Sequence, residues 1–257
     1  MSRVLRLFDI LAHHRGGMTL SALSQALDVP KSTFLSSLRP LVADGFLLCE
    51  GNLYRLGPNA YRLAGSVLAS WSLPELIRPF VKALASATGE SVGFGIADWE
   101  IGQVIYTDAV NSIQPVHYAM RAGLRAPLYV SAAGRVLLAH ARPEQRAEYF
   151  SRTQFKALTP VTKISVPAIE ETLDAVRRLG YCASFGEILR DTASIAVPVF
   201  DSSDAVIGAL MVAAPLDRMR ITYRVLLSEV VRAGRQASGL PVTEIGNAEY
   251  PGDPGSP

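Results

Sequence analysis

The chain has 257 residues, a length that suits one large domain or two modest ones. It carries 25 Lys and Arg against 23 Asp and Glu, and 49% of its residues are hydrophobic, which excludes disordered, collagen-like and highly charged proteins. The longest uncharged apolar run, Ala205 to Leu216, is too short to cross a bilayer. No basic stretch precedes an apolar one near the start, so we expect no secretory signal. We therefore expect a cytoplasmic protein with no membrane partner.

Two cysteines, Cys49 and Cys182, lie far apart and lack the spacing of metal ligands or of a redox pair. We therefore expect no disulfide framework, no metal site and no cofactor. The charge is unevenly placed, since residues 1–65 carry a net +3 and the remainder −1. This asymmetry suggests that the first quarter meets an anionic partner, although on charge alone chance scatter explains it equally well.

The first elements in chain order are three helices and a hairpin. Apolar residues spaced i, i+3, i+4 and i+7 from Val4 predict an amphipathic helix, which Gly16-Gly17 ends. A short helix with Thr19 or Ser21 as its cap follows, and a third helix runs from about Lys31 to Ala43. Residues 46–48 and 53–56 form two short strands around a turn at 50–52. This order is typical of a winged helix-turn-helix.

The third helix has the two faces that a DNA-reading helix needs. One arc is apolar and suits docking on the partner helices, whereas the other carries short polar side chains and a cation that suit the major groove. An ordinary amphipathic surface helix is the alternative. Pro40 lies inside this helix, so we expect it to kink there or to end earlier. The predicted DNA-binding residues are Thr19, Lys31, Ser32, Thr33, Ser36, Ser37, Arg39 and Arg55.

A linker helix is predicted over residues 59–73, between a DNA-binding domain at 1–58 and a second domain at 74–237. The sequence Ser72-Leu73-Pro74-Glu75 reads as a capping box that opens a new helix. On the buried side of this helix we expect Leu76, Phe80, Val81 and Leu84. Residues 238–257 are rich in Pro and Gly and are expected to be disordered.

The second domain alternates predicted strands and helices, so we expect an α/β (α+β) fold with an antiparallel-rich sheet. Ser131 is predicted to cap one helix and Gly180 to end another. The predicted strands are residues 91–97, 103–110, 116–120, 181–185, 193–200 and 205–213, and the predicted helices are 131–140, 144–151, 165–180 and 219–236.

Seven ordered segments across both domains resemble the IclR family of transcriptional regulators (isocitrate lyase regulator type). The segments are 4–11 (VLRLFDIL), 30–33 (PKST), 44–47 (DGFL), 54–57 (YRLG), 121–128 (RAGLRAPL), 132–139 (AAGRVLLA) and 195–201 (IAVPVFD). The resemblance implies an N-terminal domain that binds double-stranded operator DNA and a GAF-like C-terminal domain that binds a small organic effector, commonly a carboxylate or aromatic acid. It also implies self-association as a dimer or a dimer of dimers.

The chain departs from the family in two places. After the Lys-Ser-Thr entry, the third helix has Phe34 and Leu35 and then two serines, where the family often has larger polar or cationic residues. We therefore expect fewer base contacts and more reliance on the DNA backbone. In the effector pocket, four matching positions that often hold an acid, a cysteine and two serines are here Ser184, Ser194, Met211 and Ala213.

Because methyl and thioether groups favour apolar partners, these pocket residues predict a less polar effector with one polar end. Amides at the start of the Ser131 helix offer a place for a carboxylate. The resemblance and the strand pattern together give the predicted effector-binding residues, which are Tyr106, His117, Tyr118, Met120, Ala132, Ala133, Ser184, Glu187, Ser194, Met211 and Ala213.

Two other functions remain open at this point. The C-terminal domain could be an enzyme that turns over a small organic acid, but His117 has no matched nucleophile or second acid, and no P-loop, GxSxG or HExxH is present. The second domain could also serve only to dimerise a constitutive DNA-binding protein. We expect an effector-responsive transcriptional regulator that is not an enzyme.

Overall fold

A computed structural model describes residues 3–242, except residues 15, 71 and 72, and describes residues 67–70 and 74 by their backbone only. The chain divides after residue 72 into two compact units. The predicted Ser72 cap and residues 243–257 of the predicted disordered tail lie outside the described residues. Within the described part of the chain, no helix is both long and apolar enough to span a membrane.

The first unit contains four helices and three short strands among its described residues. In chain order these are α1 (Arg3–His13), β1 (Met18–Thr19), α2 (Leu20–Leu27), α3 (Lys31–Ala43), β2 (Leu47–Glu50), β3 (Leu53–Leu56) and α4 (Pro58–Ser70). The strands form one antiparallel sheet in the order β1-β3-β2. The predicted helix-turn-helix and hairpin are present, and β1 is an addition that the sequence did not indicate.

The core of this unit explains why the helices form where they do. Leu7 and Leu11 of α1, with Leu23 of α2, pack on Phe34 and Leu38 of α3. These are members of the apolar stripes that the sequence predicted. Pro40 does not end α3 early, because the helix continues to Ala43. Pro40 and Ser36 are both exposed, so water can bond the Ser36 carbonyl that lacks its helical partner.

The second unit is a six-stranded sheet with helices on both faces. In chain order it contains α5 (Leu73–Thr88), β4 (Ser91–Asp98), β5 (Gln103–Val110), β6 (Arg125–Pro127), α6 (Ala132–Ala139), α7 (Pro143–Arg152), α8 (Val166–Leu179), β7 (Cys182–Phe185), β8 (Thr192–Phe200), β9 (Val206–Pro215) and α9 (Leu216–Ala237). The strand order is β6-β5-β4-β9-β8-β7, and every neighbouring pair is antiparallel. One face packs on α5 and α9, and the other on α6 and α8.

Two expectations about this unit are wrong. The predicted strand at 116–120 is a loop, because Val116 is 71% exposed and the backbone amide of Met120 bonds the Asn111 side chain at 2.6 Å. The third strand of this unit in chain order is instead the short β6, which forms one edge of the sheet. In α5 the buried residue is Ile77, which is 2% exposed, and not the predicted Leu76, which is 45% exposed. Long-range packing decides which side of the helix faces the sheet.

Candidate DNA-binding surface and ligand cavity

The helix-turn-helix is held by bonds within the chain. Thr19 caps α2, where its hydroxyl accepts a hydrogen bond from the Ala22 amide at 3.2 Å. Asp28 ends α2 in the left-handed region at a φ of 52°, and the Ser24 hydroxyl donates to the Val29 carbonyl. These bonds fix the turn, so α3 has a defined direction relative to α2.

The structure places six predicted DNA-binding residues together on the exposed side of α3. These are Lys31, Ser32, Thr33, Ser36, Ser37 and Arg39. The hydroxyls of Ser36 and Ser37 donate to the Thr33 carbonyl at 2.7 and 3.4 Å, which leaves their lone pairs facing solvent. The helix carries two cations and no carboxylate, so its exposed side favours an anionic partner such as a phosphate backbone.

Arg55 has a different setting from the residues of α3. Its Nε donates to the Gly16 carbonyl at 3.1 Å, and its Nη1 to Glu50 Oε2 at 3.2 Å. Gly17 makes room for it, because a Cβ there would lie 2.7 Å from the Arg55 Cγ, and its φ of +84° also favours glycine. The structure therefore places Arg55 in an ion pair on the hairpin and Thr19 in a helix cap.

A cavity lies in the second unit between α6, the sheet and the loop before β6. Seven predicted effector-binding residues line it, namely Tyr106, Tyr118, Ser184, Glu187, Ser194, Met211 and Ala213. Ser131, Ile188 and Thr192 also line it and were not predicted as ligand contacts. Its volume is about 30 Å³, room for roughly two water molecules and about a fifth of the ~150 Å³ that holds benzene in an engineered cavity. The cavity as it stands is therefore too small for an organic ligand.

Four predicted residues stand outside the lining. Met120, Ala132 and Ala133 are buried in the same core cluster as the lining side chains. His117 is exposed, and its Nδ1 lies 2.7 Å from the Gln114 carbonyl. Its expected position beside the cavity depended on a strand at 116–120, and in the loop that forms there it turns to solvent.

The beginning of α6 reaches the cavity through Ser131. The Ser131 hydroxyl accepts from the Gly134 amide at 3.1 Å and donates to the Pro127 carbonyl at 2.9 Å. Within the described residues, the backbone amides of Ala132 and Ala133 have no acceptor, as is expected for the first turn of a helix. Both residues are almost wholly buried, so a bound oxyanion would supply the bonds that water cannot easily provide.

One wall of the cavity is fixed by a buried ion pair. Arg135 donates from Nη1 and Nη2 to the two oxygens of Glu187, each at 2.5 Å, and from Nε to the Tyr129 carbonyl at 2.8 Å. Glu187 also accepts from the Ser184 hydroxyl and from the Lys163 amide, both at 3.3 Å. Burial lowers the pKa of Arg135, but the bonds and charge of Glu187 outweigh it and leave that pKa above its usual value.

Sequence reasoning found Glu187 but missed Arg135. The signal that could have found it is a single Arg in the otherwise uncharged run AAGRVLLA of α6. A cation in such a run needs a buried anion, since an unpaired charge is not tolerated in a core. Because both charges are satisfied by each other, the cavity offers a ligand neutral polar groups.

The remaining polar groups of the cavity are hydroxyls. Burial raises the pKa of Tyr106 and of Tyr118 above the ordinary value, so both phenols stay protonated. Within the described residues, no hydrogen-bond partner contacts the hydroxyls of Tyr106, Tyr118 or Ser194. Nearby, burial raises the pKa of the Cys182 thiol to about 11, which makes it an apolar core residue and not a reactive thiolate. The cavity thus presents neutral hydroxyls beside apolar side chains.

A helix-turn-helix with a cationic exposed helix, followed by a separate unit with an internal ligand cavity, defines a transcriptional regulator with a DNA-binding and an effector-binding part. The comparisons agree. Residues 1–48 match the IclR helix-turn-helix domain, and residues 65–238 match the C-terminal domain of the bacterial transcriptional regulator IclR. The chain belongs to the IclR family of transcriptional regulators.

Individual relatives cover nearly the whole chain. The HTH-type transcriptional regulator BhcR of Paracoccus denitrificans is 27% identical over 93% of this chain and 85% of its own. A crystal structure of an IclR transcriptional regulator from Silicibacter sp. TM1040 is 27% identical, with a TM-score of 0.82 over 95% of this chain and 98% of that one. An IclR homologue from Microbacterium hydrocarbonoxydans, solved in complex with 4-hydroxybenzoate, is 25% identical, with a TM-score of 0.60 over 92% and 96%.

These matches confirm the predicted family and the predicted fold class, a helix-turn-helix domain joined to a mixed sheet-and-helix effector domain. They also confirm the predicted class of function, DNA-binding transcription regulation.

Proposed function

We propose that this regulator reads operator DNA with α3 and responds to a small, largely apolar organic acid bound in the cavity of the second unit. The observation that carries the proposal is the cavity itself, in which neutral hydroxyls meet an apolar wall beside the first turn of α6. We also propose residues 1–58 as the DNA-binding domain, 59–73 as the linker, and 74–237 as the effector-binding and oligomerisation domain.

The DNA contact rests on the exposed side of α3. Lys31 and Arg39 supply charge for the phosphates, and the hydroxyls of Ser32, Thr33 and Ser36 are short enough to reach phosphates or base edges. We infer that two copies of the chain bind one operator, because a helix-turn-helix reads about half of a palindromic site. Arg55 would join the contact only by leaving its bond to Glu50.

The effector contact begins at the first turn of α6. The free amides of Ala132 and Ala133 would hold a carboxylate, since a helix N-terminus favours negative charge. Tyr106 and Ser194 would donate or accept one further hydrogen bond. The thioether of Met211 and the methyl group of Ala213 make the rest of the site apolar, and the relative solved with 4-hydroxybenzoate supports an aromatic acid as the ligand class.

We infer that the cavity binds its ligand without chemical turnover. Glu187 is held by Arg135, Ser184 and the Lys163 amide, so it has no free lone pair in position to act as a base. His117 faces solvent away from the cavity. General acid–base catalysis needs a titratable group that lies within hydrogen-bond reach of the substrate and is free to exchange a proton. Glu187 lines the cavity but is not free, and His117 is not within reach.

Calorimetry on the full chain tests the ligand class. The panel compares benzoate and 4-hydroxybenzoate with glyoxylate and pyruvate, and we expect binding of the aromatic acids. Tyr106→Phe removes one hydroxyl and should weaken that binding by about 2- to 12-fold, the range of one neutral hydrogen bond. Tyr181→Phe, on the other face of the sheet, is the matched control and should change nothing. Tight binding of glyoxylate or pyruvate alone would overturn the proposed ligand class.

A further inference from the structure

The small volume of the cavity raises the question of which wall moves to admit a ligand. Its ~30 Å³ holds water but no organic acid, so at least one wall must give way. The walls differ in how firmly the chain holds them, and that difference can be read from their hydrogen bonds and burial.

Three of the walls are firmly held. Met211 and Ala213 lie on β9, which is bonded to β4 on one side and to β8 on the other. All eight residues of α6 are buried. Glu187 is fixed by the paired bonds from Arg135 and by Ser184 and the Lys163 amide. The loop that carries Glu187 also brings Ile188 and Thr192 to the cavity, and backbone bonds from Gly186 to the Thr192 carbonyl at 2.8 Å and from Leu216 to the Asp191 carbonyl at 2.9 Å hold it. Moving any of these would break several buried hydrogen bonds at once.

The fourth wall is different and consists of residues 113–120, here called the cover segment. Its Tyr118 lines the cavity, whereas Val116 is 71% exposed. At its end, Met120 is seated over Gly93, where a Cβ would lie only 2.4 Å from the Met120 Cε. Met120 is buried at 3% exposure, but its flexible side chain can adapt to a new position, so this contact does not fix the backbone of the segment.

Arg218 is what ties the cover segment to the rest of the unit. Its Nη2 donates to the Val116 carbonyl at 3.0 Å. Among the described residues this is the one hydrogen bond that joins the cover segment to a helix or strand, because the other bonds of residues 113–120 stay within the loop.

Arg218 is itself anchored on a buried acid. Its Nη2 donates to Glu90 Oε2 at 2.7 Å, and its Nε donates to Glu90 Oε1. Glu90 is 4% exposed, so the ion pair holds the guanidinium in place while one hydrogen stays available to Val116. The planar fork of Arg suits this double contact in a way that Lys does not.

We propose that residues 113–120 are the movable wall of the ligand cavity and that Arg218 is the positioning residue that keeps this wall closed. The inference rests on the proposed function, since it assigns a way of entry to the same cavity. Release of Val116 from Arg218 lets Tyr118 and Met120 swing outward, which enlarges the cavity and exposes Met211.

The test uses the full chain without any ligand, so its outcome is independent of whether the ligand panel succeeds. Dilute hydrogen peroxide oxidises exposed methionines, and mass spectrometry gives the oxidation rate of each one. Met211 lines the cavity, and Met219, in the opposite core cluster, is the internal control. Amide hydrogen exchange over residues 113–120 is measured in parallel.

We expect Arg218→Met to raise both the Met211 oxidation rate and the exchange rate of the cover segment by about tenfold. This is the effect expected from the loss of one charge-assisted hydrogen bond. Met219, located by fragmentation so that its oxidation is separated from that of the methionine introduced beside it, should not change. Arg224→Met, which removes an exposed Arg from the same helix, should match the wild type. Unchanged Met211 and cover-segment rates in Arg218→Met would overturn the proposal.

If Arg218→Met loosens the whole unit, the oxidation rate of Met219 will rise as well. A second variant keeps the test decisive in that case. Arg218→Lys retains a cation opposite Glu90 but cannot reach both Glu90 and Val116 in the same way. We expect selective acceleration at Met211 and residues 113–120 in this variant as well. The absence of selective acceleration in both variants would contradict Arg218 as the hold.

Discussion

The buried pair of Arg135 and Glu187 leads to a stability prediction whose size follows from the structure. Arg135→Met removes both 2.5 Å bonds to the carboxylate and the 2.8 Å bond to the Tyr129 carbonyl. Glu187, 7% exposed, keeps only Ser184 and the Lys163 amide as partners. Breaking a buried pair in this way costs about 3–5 kcal/mol, because the remaining charge is left without its counter-charge.

The assay is urea unfolding of the full chain at pH 7, followed by far-UV circular dichroism. Replacing both partners, as in Arg135→Met with Glu187→Leu, should recover about 1–4 kcal/mol of that loss, since no charge then stays buried. Arg220→Met is the matched control, because its pair with Asp217 is largely exposed and such pairs contribute at most about 1 kcal/mol.

The reasoning is refuted if Arg135→Met unfolds at the same urea concentration as the wild type. It is also refuted if the double variant is less stable than Arg135→Met by a further 3 kcal/mol or so, since that would mean that Glu187 is stabilised by groups other than Arg135.

Three further outcomes are expected. Arg39→Ala should weaken binding to a duplex selected from a random pool by about 1–3 kcal/mol and relax one base preference, measured by fluorescence anisotropy; an unchanged affinity would exclude Arg39 as a reader. Glu50→Gln should free Arg55 for phosphate and steepen the slope of log K against log salt by about 1, and an unaltered slope would show that Arg55 makes no such contact. The folded chain keeps the Cys182 proton to about pH 11 while the unfolded chain loses it near 9.0, so stability should be intact below pH 9 and fall by up to about 3 kcal/mol above it. Urea unfolding at a series of pH values measures this loss of stability, and Cys182→Ala should not show it.

Local sequence patterns accounted for most of the fold. Apolar spacing located α1 and α3, and the residues Ser131 and Gly180 located a helix start and a helix end because capping is decided within a few residues. The loop at 116–120 was mistaken for a strand because Tyr118 and Met120 alternate as in a strand. These two side chains point inward because they pack on the cavity and the adjoining core, and not because they belong to a sheet. No local sequence pattern shows that difference.

The errors share a physical cause, since they depend on contacts between distant residues. Leu76 and Ile77 are adjacent and equally apolar, and only the packing of α5 on the sheet decides which is buried. The pair of Arg135 and Glu187 spans 52 positions, so the fold must form before the two meet. The same holds for Arg218 and the Val116 carbonyl, 102 positions apart.

The central claim is that ligand binding in the second unit controls DNA binding by the first. The most direct measurement is the dissociation constant of the full chain for the selected duplex, taken at rising concentrations of the panel acid that binds in calorimetry. The account predicts a change in that constant that is half-maximal near the acid's own dissociation constant and that needs more acid in Tyr106→Phe, because coupling between two sites is reciprocal. A dissociation constant for DNA that stays the same while the cavity fills with the acid would contradict it.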